Sequence, residues 1–344
     1  MTINVLELFS GIGGMNYSLQ RTGIDYKVKA AYDIYDVANQ VYSHNFPDTP
    51  LFNKLIQNIK PENCLSYDLW TMSPPCQPYT VLGNRICGED NRSDAFNHIL
   101  NLIQECKPKY IFLENVQGFV DSDSHKKIIQ ALKDSKYTVR QYLLTPLQFG
   151  IPNCRMRFYL AAKFNDDTSS PVYELTRSLK GVPKLFSCNC LYCEKDVDFD
   201  TNLKTEEDSI KPHCKQISEY LNEAISQDEL VISREKIIKH LNVIDIVSGR
   251  DRKTCCFTKG YRKRFNATGS LLQTNQDPME QTFLDDYRIK IQDDVVKKTE
   301  LAEKLQLRYF HSSEIASIMC FPKTFGSFYI LTRNCTFRIS QLHI

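Results

Sequence analysis

Across its first 164 residues the chain alternates short apolar runs with amphipathic stretches of about ten residues. This alternation restricts the fold more than any other feature. Residues 4–9, Asn-Val-Leu-Glu-Leu-Phe, end at glycines and lead into a helix-like stretch to about Arg21. Residues 28–33, 67–72, 109–114, 139–144 and 158–164 read as further strands, and Ser93 is placed to cap an amphipathic helix over 95–106. Strands separated by such helices pair in a mainly parallel sheet covered on both faces, because each parallel neighbour needs a crossover that packs on the sheet. The expected class is therefore α/β.

A chain of 344 residues can hold one large domain and a smaller one. Residues 165–230 are rich in Asp, Glu, Lys and Ser and read as a variable insertion, partly disordered or loosely packed. Pattern returns at Ile232, and 295–307 and 312–321 read as two closing helices. The 42% hydrophobic and 24% charged content is that of a soluble globular protein. No apolar run is long enough to cross a bilayer, and the start lacks the basic and apolar regions of a signal peptide. An intracellular location is expected, in the cytoplasm and also the nucleus. The thirteen cysteines, mostly scattered singly, read as free thiols and not as a disulfide framework. A net charge of +2 means that any nucleic-acid surface must be local.

Phe9-Ser10-Gly11-Ile12-Gly13-Gly14 joins the first strand to the first helix. Glycines there allow a tight turn and close approach of a cofactor to the backbone. The next strand ends in Asp33, placed to accept hydrogen bonds from ribose hydroxyls. A dinucleotide fingerprint would want glycine at position 16, where this chain has Asn16. An adenosine cofactor without a pyrophosphate suits the turn better than NAD, and S-adenosylmethionine fits. An ordinary strand-to-helix turn would carry the same glycines.

Cys76 lies among Pro74, Pro75 and Pro78 just after a strand, where prolines end the ladder and fix the sulfur. Glu114 ends another strand, and ligands of open parallel sheets bind at the carboxyl ends of strands. Arg155 and Arg157 would enter a later strand with side chains on one face by period-two spacing. Taken singly, each has a structural reading: a buried small thiol, a strand-end hydrogen-bond partner, surface charge. Taken together they suit one reaction. Carbon 5 of cytosine is a poor nucleophile until a thiolate adds to carbon 6 and turns the ring into an enamine. Charge developing at ring nitrogen 3 then needs a protonated carboxyl, which burial favours, and arginines can hold the ring carbonyl and a phosphate.

The ordered motifs FSGIGG, SPPCQPYT, LENV and NCRMR resemble those of cytosine-5 methyltransferases. Cys256-Phe257-Thr258-Lys259-Gly260-Tyr261 is similar to the Cys-Phe-Thr signature of the tRNA(Asp) branch of that family. The resemblance covers 3–164 and 232–326. It implies a Rossmann-like S-adenosylmethionine-dependent methyltransferase sheet with a smaller target-recognition domain: 1–164 catalytic, 165–230 insertion, 231–294 target recognition, and 295–344 returning to the catalytic domain. It further implies Cys76 as nucleophile, Glu114 as partner of ring nitrogen 3, and Arg155 and Arg157 orienting the base. Ile12, Gly13, Gly14, Asp33, Ile56, Gln57 and Ser73 would bind the cofactor. The implied substrate is cytosine 38 in the tRNA(Asp) anticodon loop, with DNA as the rival substrate. A nucleic-acid-binding protein with a weakened pocket is the rival of another class.

Arg250, Arg252, Lys253, Lys259, Arg262, Lys263 and Arg264 crowd the Cys-Phe-Thr signature, with Phe257, Tyr261 and Phe265 interleaved. Such a strip can neutralise phosphates and stack exposed bases, so Thr258, Lys259, Tyr261, Arg262 and Arg264 are expected to bind substrate. A solvated charged face is the plainer alternative. Cys188, Cys190, Cys193 and Cys214 with His213 offer enough ligands for zinc, but their spacing is not a clean CxxC pair and no metal is expected. From about residue 327 the chain departs from the Gly-Asn-Ser-type ending of the family, which bears on cofactor affinity.

Overall fold

The computed structural model describes residues 1–75, 91–120, 122–165, 175–176, 213–225, 230–275, 277–291 and 293–326. They fall into two compact units. One comprises the described residues of Met1–Leu144 and Met156–Ser178. The other comprises Thr145–Arg155 and the described residues from 213 to 326.

The first unit runs β1 (Ile3–Leu8), α1 (Gly14–Gln20), β2 (Tyr26–Asp33), α2 (Asp36–Asn45), β3 (Leu51–Asn53), β4 (Leu69–Met72), α3 (Asn91–Cys106), β5 (Tyr110–Val116), α4 (Asp123–Asp134), β6 (Tyr137–Leu144), β7 (Arg157–Phe164) and β8 (Leu175–Thr176). The strands form one sheet in the order β3-β2-β1-β4-β5-β7-β6-β8. The first five are parallel, and β7 runs antiparallel to both β5 and β6. The six apolar runs of the sequence are all strands. β3 and β8, three and two residues long, are too short to carry a pattern.

β1 is buried on both faces from Val5 to Leu8, as central strands of a parallel sheet are. Trp70, Met72, Ile111, Leu113 and Leu160 from the sheet share a core with Ile99 and Ile103 of α3 and Ile128 and Leu132 of α4. Each such side chain contributes about 1.5–3 kcal/mol by leaving water. The first turn of α3 starts at Asn91, so Ser93, expected as its cap, falls inside the helix. Ser122 does cap α4, its Oγ accepting from the His125 backbone N–H at 3.2 Å.

The second unit contains α5 (Arg234–His240), β9 (Asp245–Val247), β10 (Ser270–Gln273), α6 (Gln281–Lys290), α7 (Val295–Leu305), β11 (Leu307–Arg308) and α8 (Ser312–Ile318). β10 is the centre of a small sheet, parallel to β9 and antiparallel to β11. The first closing helix is shorter than expected because Gln306 turns left-handed (φ 42°) and Leu307 joins the sheet. Ile246, Leu272, Leu301, Leu305, Phe310 and Ile315 form this unit's core. Cys214, Ile217 and Leu230 are buried too, so packed chain resumes by residue 214, inside the stretch expected to be loose. The residues after Gly326, and with them the unusual ending, lie outside the described residues.

Candidate active site

Register brings the first unit's expected site residues to one rim. Tyr32, Leu8, Met72 and Leu113 stand side by side across β2, β1, β4 and β5. The next residues are Asp33, Phe9, Ser73 and Glu114, side by side toward the carboxyl ends, although β5, expected to end at Glu114, runs on to Val116 because its last residues pair with β7. Strand order also reverses between β1 and β4, which opens a crevice at that edge of an α/β sheet.

The turn after β1 is built on left-handed residues, Phe9 (φ 52°), Gly11 (φ 53°) and Gly13 (φ 89°). Asp33 braces it. Its Oδ2 accepts from the Gly11 N–H at 2.8 Å and its Oδ1 from the Tyr35 N–H at 2.9 Å. Each oxygen keeps a lone pair, so bracing the turn leaves the carboxylate able to accept from diol hydroxyls. Ile34, directly after Asp33, is 58% exposed, a large apolar side chain held in water beside that carboxylate. Sequence reading passed over it, although an apolar residue following a strand-end acid was the available signal. An exposed apolar face beside a diol acceptor and a glycine turn fits an adenosine group.

Ile12 is buried, Gly13 caps α1 and Gly14 opens it. Asn16, noted only for not being glycine, is a buried hub. Its Nδ2 donates to the Tyr42 hydroxyl at 3.1 Å, its Oδ1 accepts from the Tyr26 hydroxyl at 3.0 Å, and Tyr42 donates on to Glu7 at 2.7 Å. Burial pushes the Glu7 carboxyl up to about 8, against the lowering effect of the Tyr42 hydrogen bond. Ile56 and Gln57 lie in a 3-10 turn after β3, with Ile56 buried. The Ser73 N–H reaches the Leu8 carbonyl at 3.4 Å.

Glu114 pairs with Arg157, whose Nε is 3.2 Å from Oε1. The next residue, Asn115, is buried and donates from Nδ2 to the Pro74 carbonyl at 3.4 Å. That bond anchors the prolines that precede Cys76, which itself lies outside the described residues.

Arg155 belongs to the second unit and precedes β7, which begins at Arg157. The expected period-two pairing of the two arginines on one strand is therefore corrected. Asn153 bridges to Thr254, and the Cys154 N–H donates to the Thr254 carbonyl at 2.8 Å, so the chain here pairs with the segment before the Cys-Phe-Thr signature. The Arg155 guanidinium accordingly donates to the Cys256 sulfur at 3.6 Å.

Within the signature, Thr258 organises a turn: its N–H donates to Thr268 and its carbonyl accepts from Tyr261. Lys259 and Arg264 are exposed, and Arg262 lies 5.3 Å over the Tyr309 ring. Tyr261 corrects the expectation of base stacking. It is 1% exposed, donates to the Ser270 carbonyl at 2.7 Å and accepts from the Phe310 N–H at 2.9 Å. Phe257 packs edge-on against it and is equally buried, so both rings are core. Of the interleaved aromatics, Phe265 alone retains partial exposure. Cys188, Cys190 and Cys193 lie outside the described residues, whereas Cys214 is buried and donates to the Leu147 carbonyl at 3.5 Å. Burial raises its thiol to about 11.

A family model described as C-5 cytosine-specific DNA methylase matches residues 3–340. The chain belongs to this family. It is a cytosine-5 methyltransferase with the Rossmann-like sheet of such enzymes. The human tRNA (cytosine(38)-C(5))-methyltransferase is 32% identical over 94% of this chain and 91% of its own length. The Spodoptera frugiperda protein of the same name is 33% identical over 95% and 90%. A Dictyostelium discoideum DNA (cytosine-5)-methyltransferase is 30% identical over 94% and 86%. Among solved structures, a Spodoptera frugiperda DNMT2 mutant superposes with a TM-score of 0.73 at 31% identity, covering 94% of this chain and 90% of its own. The S. pombe Dnmt2 methyltransferase gives 0.72 at 28%, covering 97% and 92%.

Proposed function

We propose that this enzyme methylates carbon 5 of cytosine in tRNA, at cytosine 38 of the tRNA(Asp) anticodon loop, with S-adenosylmethionine as methyl donor. The observation that carries this reading is the near-full-length similarity to relatives named for cytosine 38 of tRNA. A loop base suits the chemistry, since extruding it costs less than opening a duplex.

When bound, S-adenosylmethionine supplies an electrophilic methyl group. Asp33 would accept from the ribose hydroxyls while Ile34 covers an adenine face. The backbone of Ile12–Gly14 would approach the donor closely, and Ile56, Gln57 and Ser73 would complete its contacts. The Cys76 thiolate adds to carbon 6, which makes carbon 5 the nucleophile. Glu114 provides the hydrogen-bonding proton to ring nitrogen 3, and Arg157 fixes the orientation of that carboxyl group. Arg155 would help hold the base, with Thr258, Lys259, Arg262 and Arg264 contacting the RNA around it. Once carbon 5 carries the methyl group, water acting as base takes the carbon-5 proton, the electron pair expels the sulfur as the Cys76 thiolate, and the proton at ring nitrogen 3 returns to Glu114.

The test is methyl incorporation into total tRNA by wild type and by Cys76→Ala. Wild type is expected to label tRNA(Asp) and the variant to label nothing. An RNA carrying 5-fluorocytosine at position 38 is expected to be trapped on Cys76, because fluorine cannot leave as the proton does. Equal labelling by both proteins would remove Cys76 from the mechanism. The Dictyostelium relative makes duplex DNA the proper second substrate, and faster labelling of DNA than of tRNA would transfer the reading to DNA.

A further inference from the structure

Behind the Cys-Phe-Thr signature, the second unit carries a ladder of π-systems whose rings the proposed substrate contacts do not include. The guanidinium of Arg262 lies over Tyr309, Tyr309 lies 6.1 Å from Phe265, and Phe265 stacks nearly parallel on His240 (4.6 Å, 14°). Burial decreases along it: Tyr309 is in the core, while Phe265 and His240 are half-buried. Three separate segments build it: the turn after Tyr261, the residue after β11 and the last residue of α5.

The surroundings are cationic. Lys236, one helical turn before His240, and Lys263 and Arg264, just before Phe265, are exposed. Among the described residues none of the three forms an ion pair. Helix α5 carries one acid, Glu235, and it is drawn to the helix start, where its own backbone N–H and the Ser233 hydroxyl hold its pKa low. Arg234, on the same helix, is already paired with Glu303. Unpaired cations beside a half-exposed flat stack are complementary to a polyanion that carries flat rings.

We propose that the His240–Phe265 stack is a second RNA-docking surface, on which an unpaired base of the substrate stacks while Lys236, Lys263 and Arg264 take flanking phosphates. The proposal rests on the tRNA reading above. It adds helix α5, which no motif marks, to the surface that selects the substrate. Stacking tolerates any base, so this surface supplies affinity and register, and the chosen cytosine is read elsewhere.

The experiment uses the full chain and an unmodified tRNA(Asp) transcript, with dissociation constants from fluorescence anisotropy across a salt series. His240→Ala is expected to weaken binding at least fivefold, the lower end of what one base stack contributes. Lys236→Gln with Lys263→Gln is expected to flatten the slope of log affinity against log salt by about 0.7 per lost contact. Binding of S-adenosylmethionine, measured by calorimetry, and the unfolding midpoint should not move in either variant. Ultraviolet cross-linking of the wild-type complex should place RNA on peptides containing His240 or Phe265. Unchanged affinity and slope, with cross-links elsewhere, would overturn the platform even if wild type methylates tRNA normally. Failure of wild type to methylate tRNA would instead remove the functional reading, and the binding series would still decide the surface. Binding of anionic lipid vesicles through these residues, with tRNA affinity unchanged, would likewise overturn it.

Discussion

The Arg157 guanidinium meets the Glu114 carboxylate diagonally across the β5–β7 pair, with Nε 3.2 Å from Oε1 and the two side chains 16% and 14% exposed. Burial on both sides means that this contact is poorly screened and fixes where the carboxyl group points. Glu114→Gln keeps the size and a hydrogen-bond donor but has no acid function, so single-turnover methylation is expected to fall about 10²–10⁴-fold. Arg157→Ala leaves the acid but removes its support, and a fall of similar order is expected. Because the pair acts as one unit, the double variant should be little slower than the worse single. Multiplying losses would show that the two residues act independently.

Gly13 is irreplaceable for two separate reasons. Its φ of 89° is left-handed, and a Cβ there would sit 2.3 Å from Cε2 of Phe46. Phe46 cannot yield easily, since its ring packs on Tyr17 at 4.7 Å and on Tyr42 at 4.9 Å. Gly13→Ala should cost roughly 1–2 kcal/mol for the backbone and about 1–3 kcal/mol for overpacking. Chemical denaturation should show the loss, with part of it recovered by adding Phe46→Leu. No recovery would mean that backbone strain alone accounts for the cost.

These two sites also show what the sequence can reveal. The parallel strands were legible because period and length separate buried strands from helices, and the positions of Asp33 and Ser73 followed from where β2 and β4 end, whereas β5 runs two residues past Glu114 through its pairing with β7. Residues whose roles depend on distant partners were not. Tyr261 sits among basic residues and looks like a ligand for bases, yet the Ser270 carbonyl and the Phe310 N–H draw it into the core. Arg155 looks like a strand residue until the bridge from Asn153 to Thr254 takes its neighbourhood into the other unit. Asn16 reads as a failed glycine, and only Tyr26 and Tyr42 reveal it as a hub.

Glu7 gives the fold a pH dependence of definite sign. Burial lifts its carboxyl from the ordinary 4.5 to about 8, so the folded protein holds a proton that the unfolded chain releases. Between those values the native state binds more protons, and stability falls as pH rises, by at most about 1.4 kcal/mol per pH unit from this group. Glu7→Gln has no proton to lose. Denaturation midpoints of wild type and variant should therefore diverge from pH 5 to pH 8, with the variant gaining relative to wild type. Parallel curves over that range would mean that Glu7 is ionised in the folded state.

A deeply buried ion pair of the second unit lies between β11 and α8. Arg308 and Glu314 form a two-pronged pair with both bonds at 2.8 Å, and the side chains are 6% and 0% exposed. Glu314 also accepts from the backbone N–H of His311 at 2.8 Å and of Asn222 at 3.2 Å. Its carboxylate thus ties the start of α8 to the segment around Ile217 as well as to the small sheet. Glu314→Ala leaves a buried guanidinium without its counter-charge and should cost about 3–5 kcal/mol, among the largest losses a single substitution can cause. Arg308→Met together with Glu314→Leu removes both charges and keeps most of the volume, so it should recover much of that loss. Hydrogen exchange should locate the damage of the single variant at Asn222 and in the first turn of α8, with β1 and β4 of the first unit protected as before. If the single variant proved as stable as wild type, the pair would owe its geometry to the packing around it and contribute nothing to holding that packing.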